Sequence, residues 1–161
     1  MPRFLAYLAV VVFFFSPCSF ADTSCCVAIR LDISSKQLSK DRLALTIKLT
    51  NTGKETLRFS KGFGPWAGPA QVRLVAIKLP GGEPIDNQLR AMVEPALGPV
   101  DLAPGKALEY DVPLDEIYYE LAQELRKGKE DIVLFWTYQL TTLDSKRSER
   151  VGGWLTVRGK N

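Results

Sequence analysis

The sequence predicts an all-β protein, an antiparallel sandwich of two sheets with seven or eight strands and one short helix. Three observations lead to this prediction. Apolar residues recur at every second position in most segments, turn residues separate these segments, and only one segment has helical spacing. A strand with one apolar and one polar face needs a second sheet to cover the apolar face, so two packed sheets are expected.

The first strands are predicted from two alternating segments. Residues 27–34 and 42–49 each alternate apolar with more polar side chains, which indicates strands with one face in water. Residues 51–54, Asn-Thr-Gly-Lys, tolerate positive φ angles, and Leu57 and Phe59 then resume the alternation. This pattern predicts a β-hairpin over residues 42–60.

Further strands are predicted after the middle of the chain. Residues 71–79 form a strand that ends at the turn Pro80, Gly81 and Gly82, and residues 83–89 return as a short edge strand. After a turn at residues 102–105, Leu-Ala-Pro-Gly, alternation resumes at residues 108–112.

The last two strands differ in their patterns. Residues 132–140 are apolar or aromatic on both faces, which predicts a strand in the middle of a sheet. In residues 151–157 the alternating positions Val151, Gly153, Leu155 and Val157 predict the final strand. Trp136 and Trp154 are assigned to the core, with the alternative that Gly152 and Gly153 open a slot beside Trp154.

One segment has helical spacing. The prediction is a short helix over about residues 115–127, before the penultimate strand, with Asp115 as its N-terminal cap and Gly128 as the left-handed residue at its end. Its apolar positions are Ile117, Tyr118, Leu121 and Leu125.

The N-terminus has the features of a secretory signal. Arg3 precedes an unbroken apolar run over residues 4–15, and small residues at Ser19 and Ala21 suit a signal peptidase. The expected division is a signal peptide at residues 1–21 and a single domain at residues 22–161. The alternative of an uncleaved anchor is disfavoured because the apolar run is too short to span a bilayer. No further apolar stretch of the sequence is long enough to span, so we expect no stable membrane insertion after cleavage and a location in the periplasm or the medium.

Composition excludes several classes of function. The formal net charge is only +3, and no basic block exceeds Lys146–Arg147, so nucleic acid is not an expected partner. The chain has no histidine, the usual base in hydrolases and the commonest zinc ligand. No glycine-rich phosphate loop is present. We therefore expect no enzymatic activity, no cofactor and no metal.

Cys25 and Cys26 remain after signal cleavage, in a setting where cysteines are normally paired. A disulfide between them is one interpretation, although adjacent cysteines rarely pair because the ring is strained. The others are a tether to a second chain, a redox or metal carrier, and two thiols in a frayed terminus.

Residues 61–70 combine two large aromatic side chains, Phe63 and Trp66, with several glycines and prolines. Such a loop follows an irregular path between strands. Its aromatic side chains either fold back to close one end of the core or stand out as rigid anchors for a partner.

The quoted motifs resemble the immunoglobulin-like domains of bacterial exported proteins. In those domains an apolar strand ends in N-x-G, here Asn51 and Gly53, and an L-x-P-G turn starts a later strand, here at Leu102. A Leu-x-x-x-Tyr segment, here Leu114 and Tyr118, then leads to an aromatic penultimate strand. The resemblance covers about residues 27–157 and implies an immunoglobulin-like fold that acts by binding, without implying any chemistry.

The expected function is an exported, non-enzymatic domain that binds a protein through the loops at residues 61–70 and 80–83. The expected contact residues are Phe63, Pro65, Trp66, Gly81 and Gly82. Two alternatives remain open, an inhibitor or immunity protein that blocks an exported enzyme and a structural subunit of envelope assembly. Residues 64–66, Gly-Pro-Trp, are similar to one loop of chagasin-like protease inhibitors, but the loop order differs and no inhibitory residue is carried over.

Overall fold

The computed structural model describes residues 26–39, 42–67, 71–85, 98–128 and 130–157, without the side chains of Cys26, Glu116 and Ile117. The predicted signal segment and Cys25 lie outside the described residues. The strands are β1 (Cys26–Val27), β2 (Ile29–Ser39), β3 (Arg42–Asn51), β4 (Leu57–Ser60), β5 (Arg73–Leu79), β6 (Pro84–Ile85), β7 (Pro99–Leu102), β8 (Ala107–Pro113), β9 (Asp131–Tyr138), β10 (Arg147–Ser148) and β11 (Val151–Val157). The helices are a short 3-10 turn (Lys61–Phe63), α1 (Leu114–Ile117) and α2 (Tyr119–Lys127).

The described part of the chain is mostly β, with antiparallel sheets and one helical region. A three-stranded sheet has the order β2-β3-β8, and a four-stranded sheet has the order β11-β9-β5-β6. Two smaller pairs are the antiparallel β4-β7 and the parallel β1-β10. The predicted count of seven or eight strands was too low, because the structure also contains short strands of two to four residues, namely β1, β4, β6, β7 and β10.

The predicted hairpin over residues 42–60 was wrong. β3 pairs with β2 on one side and with β8 on the other, and β4 pairs with β7 instead. The polar turn after β3 therefore carries the chain out of the three-stranded sheet. Alternation predicted both strands correctly but could not identify their partners, since period two specifies a buried face and not a neighbour.

Asn51 is the reason that the chain turns away at the end of β3. Its side chain is fully buried, and its Nδ2 donates to the carbonyls of Glu55 at 2.7 Å and Leu102 at 2.8 Å. Its Oδ1 accepts from the backbone N–H of Gly53 at 2.9 Å, and its own carbonyl accepts from Gly105. One amide thus joins the N-x-G and L-x-P-G motifs, which gives both a structural role.

β9 lies between β11 and β5, as its apolar composition predicted. Its inward residues join a single buried cluster that contains side chains from both larger sheets. The cluster includes Leu45, Ile47 and Leu49 of β3, Ala76 of β5, and Ile132, Leu134, Trp136 and Tyr138 of β9.

The helical region begins at Leu114 and is interrupted at Tyr118. Gly128 has φ 65°, in the left-handed region expected at the end of α2. The predicted cap was wrong: Asp115 lies inside α1, where it accepts from Arg42 Nε at 3.1 Å and pairs with Arg126 at 3.6 Å. Arg42 belongs to β3, so this carboxylate fastens the helical region to the three-stranded sheet.

Candidate functional site

The end loop, residues 61–67, has a backbone fixed by hydrogen bonds at several points. Lys61 N–H donates to the carbonyl of Gly98 at 2.9 Å, and the N–H of Ala67 donates to the carbonyl of Gly64 at 3.0 Å. Gly62, Gly64 and Pro65 are buried. The loop is therefore a packed part of the domain and not an open excursion.

Trp66 packs against the core. Its ring centroid lies 4.2 Å from that of Tyr110 on β8 and 6.3 Å from that of Phe59 on β4. The indole also covers Gly64 so closely that a Cβ there would lie 2.3 Å from a ring carbon. Trp66 thus closes this end of the core between two strands, and glycine at position 64 makes room for it.

Phe63 is 44% exposed although its neighbours are buried. Its carbonyl accepts a hydrogen bond at 2.8 Å from the hydroxyl of Tyr138, whose burial raises the pKa of that phenol and keeps it a donor. Tyr138 belongs to the central strand β9, so the sheet itself holds the backbone beneath Phe63. An exposed ring on a fixed backbone has little conformational entropy to lose on binding.

The turn at residues 80–83 does not adjoin the end loop. The loop precedes β5 and the turn follows it, and a strand of that length separates its ends by roughly 20 Å. Gly81 and Gly82 are exposed, and Gly82 has φ 75°, which favours glycine. The five predicted contact residues are therefore divided between two ends of the domain, and their role in binding stays a prediction.

Cys26 starts β1, which pairs in parallel with β10. Cys25 lies outside the described residues, and so does the side chain of Cys26. The proposed disulfide therefore stays a prediction. The parallel ladder of Cys26 with Arg147 and Val27 with Ser148 attaches this segment to the last third of the chain.

A second surface lies on the outside of the four-stranded sheet. Val75, Phe135 and Trp154 occupy directly opposed positions on β5, β9 and β11, and they are 54%, 45% and 68% exposed. Ile77 and Val133 form the adjacent row with Thr156, and no charged side chain stands in either row. We call Val75, Ile77, Val133, Phe135 and Trp154 the apolar face.

The three-stranded sheet has the opposite kind of outer surface. Asp32, Lys48 and Glu109 are opposed across β2, β3 and β8, which gives an acid, base and acid row. Arg30 pairs with Asp32 at 3.0 Å, and Lys36 pairs with Asp111. We call Arg30, Asp32, Lys48, Glu109 and Asp111 the charged face, which is the ordinary solvated side of an antiparallel sheet.

The assignment of Trp154 to the core was wrong. Trp136 is buried, whereas Trp154 is the most exposed large apolar residue described. Gly153 makes room for the buried Trp136 ring, since a Cβ at position 153 would lie 2.7 Å from that ring. A signal was present in the sequence: Trp154 is out of phase with Val151, Leu155 and Val157, and β9 is apolar on both faces.

Several carboxylates of the described residues are engaged in ion pairs, among them Asp111, Asp115 and Glu124. The hydrogen bond from Lys36, aided by one from Thr46, lowers the pKa of Asp111. Hydrogen bonds from Lys127 and Lys78 lower the pKa of Glu124. A carboxylic acid that donates a proton in catalysis needs a raised pKa, so these shifts run opposite to that requirement.

Within residues 26–39, 42–67, 71–85, 98–128 and 130–157, no group of three or more potential metal ligands is present. In the same part of the chain no helix has the length and apolar character needed to cross a membrane. No known family model matches the sequence, and no curated protein matches it significantly.

Proposed function

We propose that this chain is an exported immunoglobulin-like domain that binds another protein and carries out no catalysis. The strand order supports the immunoglobulin-like assignment. In the three-stranded sheet, β2, β3 and β8 correspond to strands A, B and E, which gives the order A-B-E. In the four-stranded sheet, β11, β9, β5 and β6 correspond to strands G, F, C and C′, which gives the order G-F-C-C′. Four strands remain: β4 pairs with β7 and β1 pairs with β10, so within the described residues no strand D lies beside strand E.

The observation that carries the binding proposal is the exposed Phe63 on an otherwise packed end loop. Trp66, Pro65 and the Tyr138 hydroxyl fix the loop, so Phe63 presents aromatic area at low entropic cost. Aromatic side chains on rigid supports are the common anchors of protein interfaces. The expected contact surface at residues 61–70 is therefore narrowed to Phe63 and the loop that supports it.

The test is capture of partners by an immobilised domain of residues 22–161 from an envelope extract of the native host. Phe63→Ala should lose a protein that the wild type retains. Leu143→Ala is the control, because Leu143 is 52% exposed and lies in a turn outside both the end loop and the apolar face. Both variants should keep the wild-type far-UV spectrum, since both side chains are about half exposed.

The results separate the open alternatives. A partner lost only with Phe63→Ala supports the end loop as the binding site. If that partner is an exported enzyme whose activity falls on adding the wild-type domain, the protein is an inhibitor or immunity protein. A partner that belongs to a surface assembly makes it a structural subunit. Equal retention by both variants would remove the end loop from the proposal.

A further inference from the structure

We propose that the apolar face is a homodimer interface, in which a second copy packs face to face about a two-fold axis parallel to the strands. The face crosses three neighbouring strands of one sheet, and its two adjacent rows hold five apolar side chains and one threonine, Thr156, with no charge. Contiguous apolar surface of this kind on a soluble chain marks an interaction site. The proposal concerns a different surface from the end loop and does not depend on the proposed function.

The sizes of the opposed side chains favour a second copy as the occupant. The axis would run along β9, so β11 of one copy would face β5 of the other. Trp154 would then lie over Val75, which sets the largest side chain of the row against the smallest. Phe135 would meet Phe135 at the axis. Off the axis the protruding Trp154 thus meets the small Val75, and on the axis the two Phe135 rings contact each other, which gives the reciprocal contacts of a two-fold interface.

The adjacent rows follow the same rule. Arg73 is opposed to Thr137 and Gly152 on one side of the central row, and Ile77 is opposed to Val133 and Thr156 on the other side. In the proposed arrangement Arg73 would lie over Gly152, which has no side chain, and Ile77 would lie over Thr156. Both pairs again set a long side chain against a short one.

The charges are compatible with this arrangement. Arg73 is exposed at the end of the face and would lie beside Trp154 of the second copy, where a guanidinium can rest on an indole ring. The backbones of the two Arg73 residues would lie on opposite sides of the axis, about 14 Å apart given the spacing of strands and of packed sheets. The charged face, by contrast, would oppose like charges in a similar pairing, since its row has acids at both ends.

The area of the face indicates a weak dimer. The three facing strands β5, β9 and β11, spaced at about 4.8 Å and about seven residues long, cover roughly 14 by 23 Å. This footprint of about 330 Å² is well below the ≈ 800 Å² per partner of a standard interface. We therefore expect a dissociation constant on the order of 10–100 μM, within the range of sedimentation measurements.

Sedimentation velocity of residues 22–161 from about 5 to 500 μM tests the proposal. The wild type should shift from monomer to dimer over this range. Trp154→Lys should raise the dissociation constant at least about tenfold, since it puts a charge in the central row. Ser34→Lys is the matched control: it adds the same charge at an exposed position of the three-stranded sheet and should dimerise like the wild type.

A swap of the central pair tests the two-fold arrangement itself. Trp154→Val and Val75→Trp should each weaken the dimer, because they place small against small or large against large. The double variant restores one large and one small side chain at each opposed pair and should regain dimerisation. Circular dichroism and melting temperature show whether each variant is folded.

Three outcomes would overturn the proposal. They are a wild type that stays monomeric at 500 μM, a Trp154→Lys variant that still dimerises, and a folded double variant that stays monomeric. Phe63→Ala should leave the dimer unchanged, so a failure of this proposal and a failure of the end loop as a partner site are measured separately.

Discussion

The end loop and the apolar face each carry a tryptophan, and the two tryptophans have opposite environments. Trp66 lies in a loop rich in glycine and proline, yet it packs on Tyr110 and Phe59. Trp154 lies in a regular strand with an alternating pattern, yet it is 68% exposed. Burial of an aromatic side chain therefore depends on whether its position in the fold directs it towards the core or towards solvent. It does not depend on whether the residue lies in a loop or in a strand.

The same comparison separates two kinds of exposed aromatic surface. Phe63 is a single ring on a tightly fixed loop, whereas Phe135 has exposed apolar neighbours on both adjoining strands. A single anchor suits insertion into a pocket of a partner, and a broad row suits packing against another flat sheet. The two surfaces should consequently respond to different variants and different measurements.

The largest expected effect is the difference in unfolding free energy between alanine variants of the two tryptophans. Trp66→Ala should lower the free energy of unfolding by about 2–4 kcal/mol, because it removes a ring that closes the core. Trp154→Ala should change the monomer's stability by no more than about 0.5 kcal/mol, because its ring is mostly in water. Urea unfolding at 5 μM protein, followed by circular dichroism, measures both. Equal losses would contradict the contrast between the end loop and the apolar face.

A second, smaller effect concerns the glycine beneath Trp66. Gly64 has φ −66° and ψ 153°, which any residue can adopt, so only space restricts this position. Gly64→Ala should cost about 1–3 kcal/mol, because the new methyl group must displace an indole held by Tyr110. A shift of the near-UV circular dichroism of tryptophan should accompany the loss.

Gly81→Ala provides the matched control for Gly64→Ala. A Cβ at Gly81 would meet only the Glu83 side chain, at 3.8 Å, so this variant should unfold like the wild type. If Gly64→Ala also unfolds like the wild type, Trp66 can move without loss and does not serve as a fixed plug.

Local pattern predicted much of the secondary structure. Period two located β3, β8 and β11, whereas β9 was predicted from its apolar composition on both faces, which also placed it inside a sheet. The pairing of β4 with β7 could not be predicted, because it depends on Asn51, whose buried hydrogen bonds reach Leu102, far along the chain. Such a contact leaves no periodic signal in either segment.

The candidate surfaces were predicted only in part. The composition of residues 61–70 indicated a special loop, but only the packing distinguishes the exposed Phe63 from the covered Trp66. The apolar face was missed because its residues come from three separate strands. Each strand alone shows between one and three apolar residues at the outward phase, and the row exists only once the register of β5, β9 and β11 is known.

The smallest expected effect concerns the charged face and its dependence on pH. The hydrogen bonds from Lys36 and Thr46 hold the pKa of Asp111 below its ordinary value of 3.8. Ionised Asp111 therefore stabilises the fold fully above about pH 4, and this contribution is lost as the pH falls through the lower pKa of the folded state. Asp111→Asn should lower the melting temperature slightly at pH 7 and by less at pH 2.

The size of this effect is limited because the Lys36–Asp111 pair is largely exposed, where ion pairs contribute little and salt screens them. Calorimetry of both proteins between pH 7 and pH 2 measures the gap between their melting temperatures. The gap should narrow on acidification and also in 1 M salt at pH 7. Trp154→Ala, which changes no charge, should keep a constant offset from the wild type in dilute protein. If the difference in melting temperature between the wild type and Asp111→Asn also stayed constant with pH, the ion pairs of the charged face would not contribute to stability.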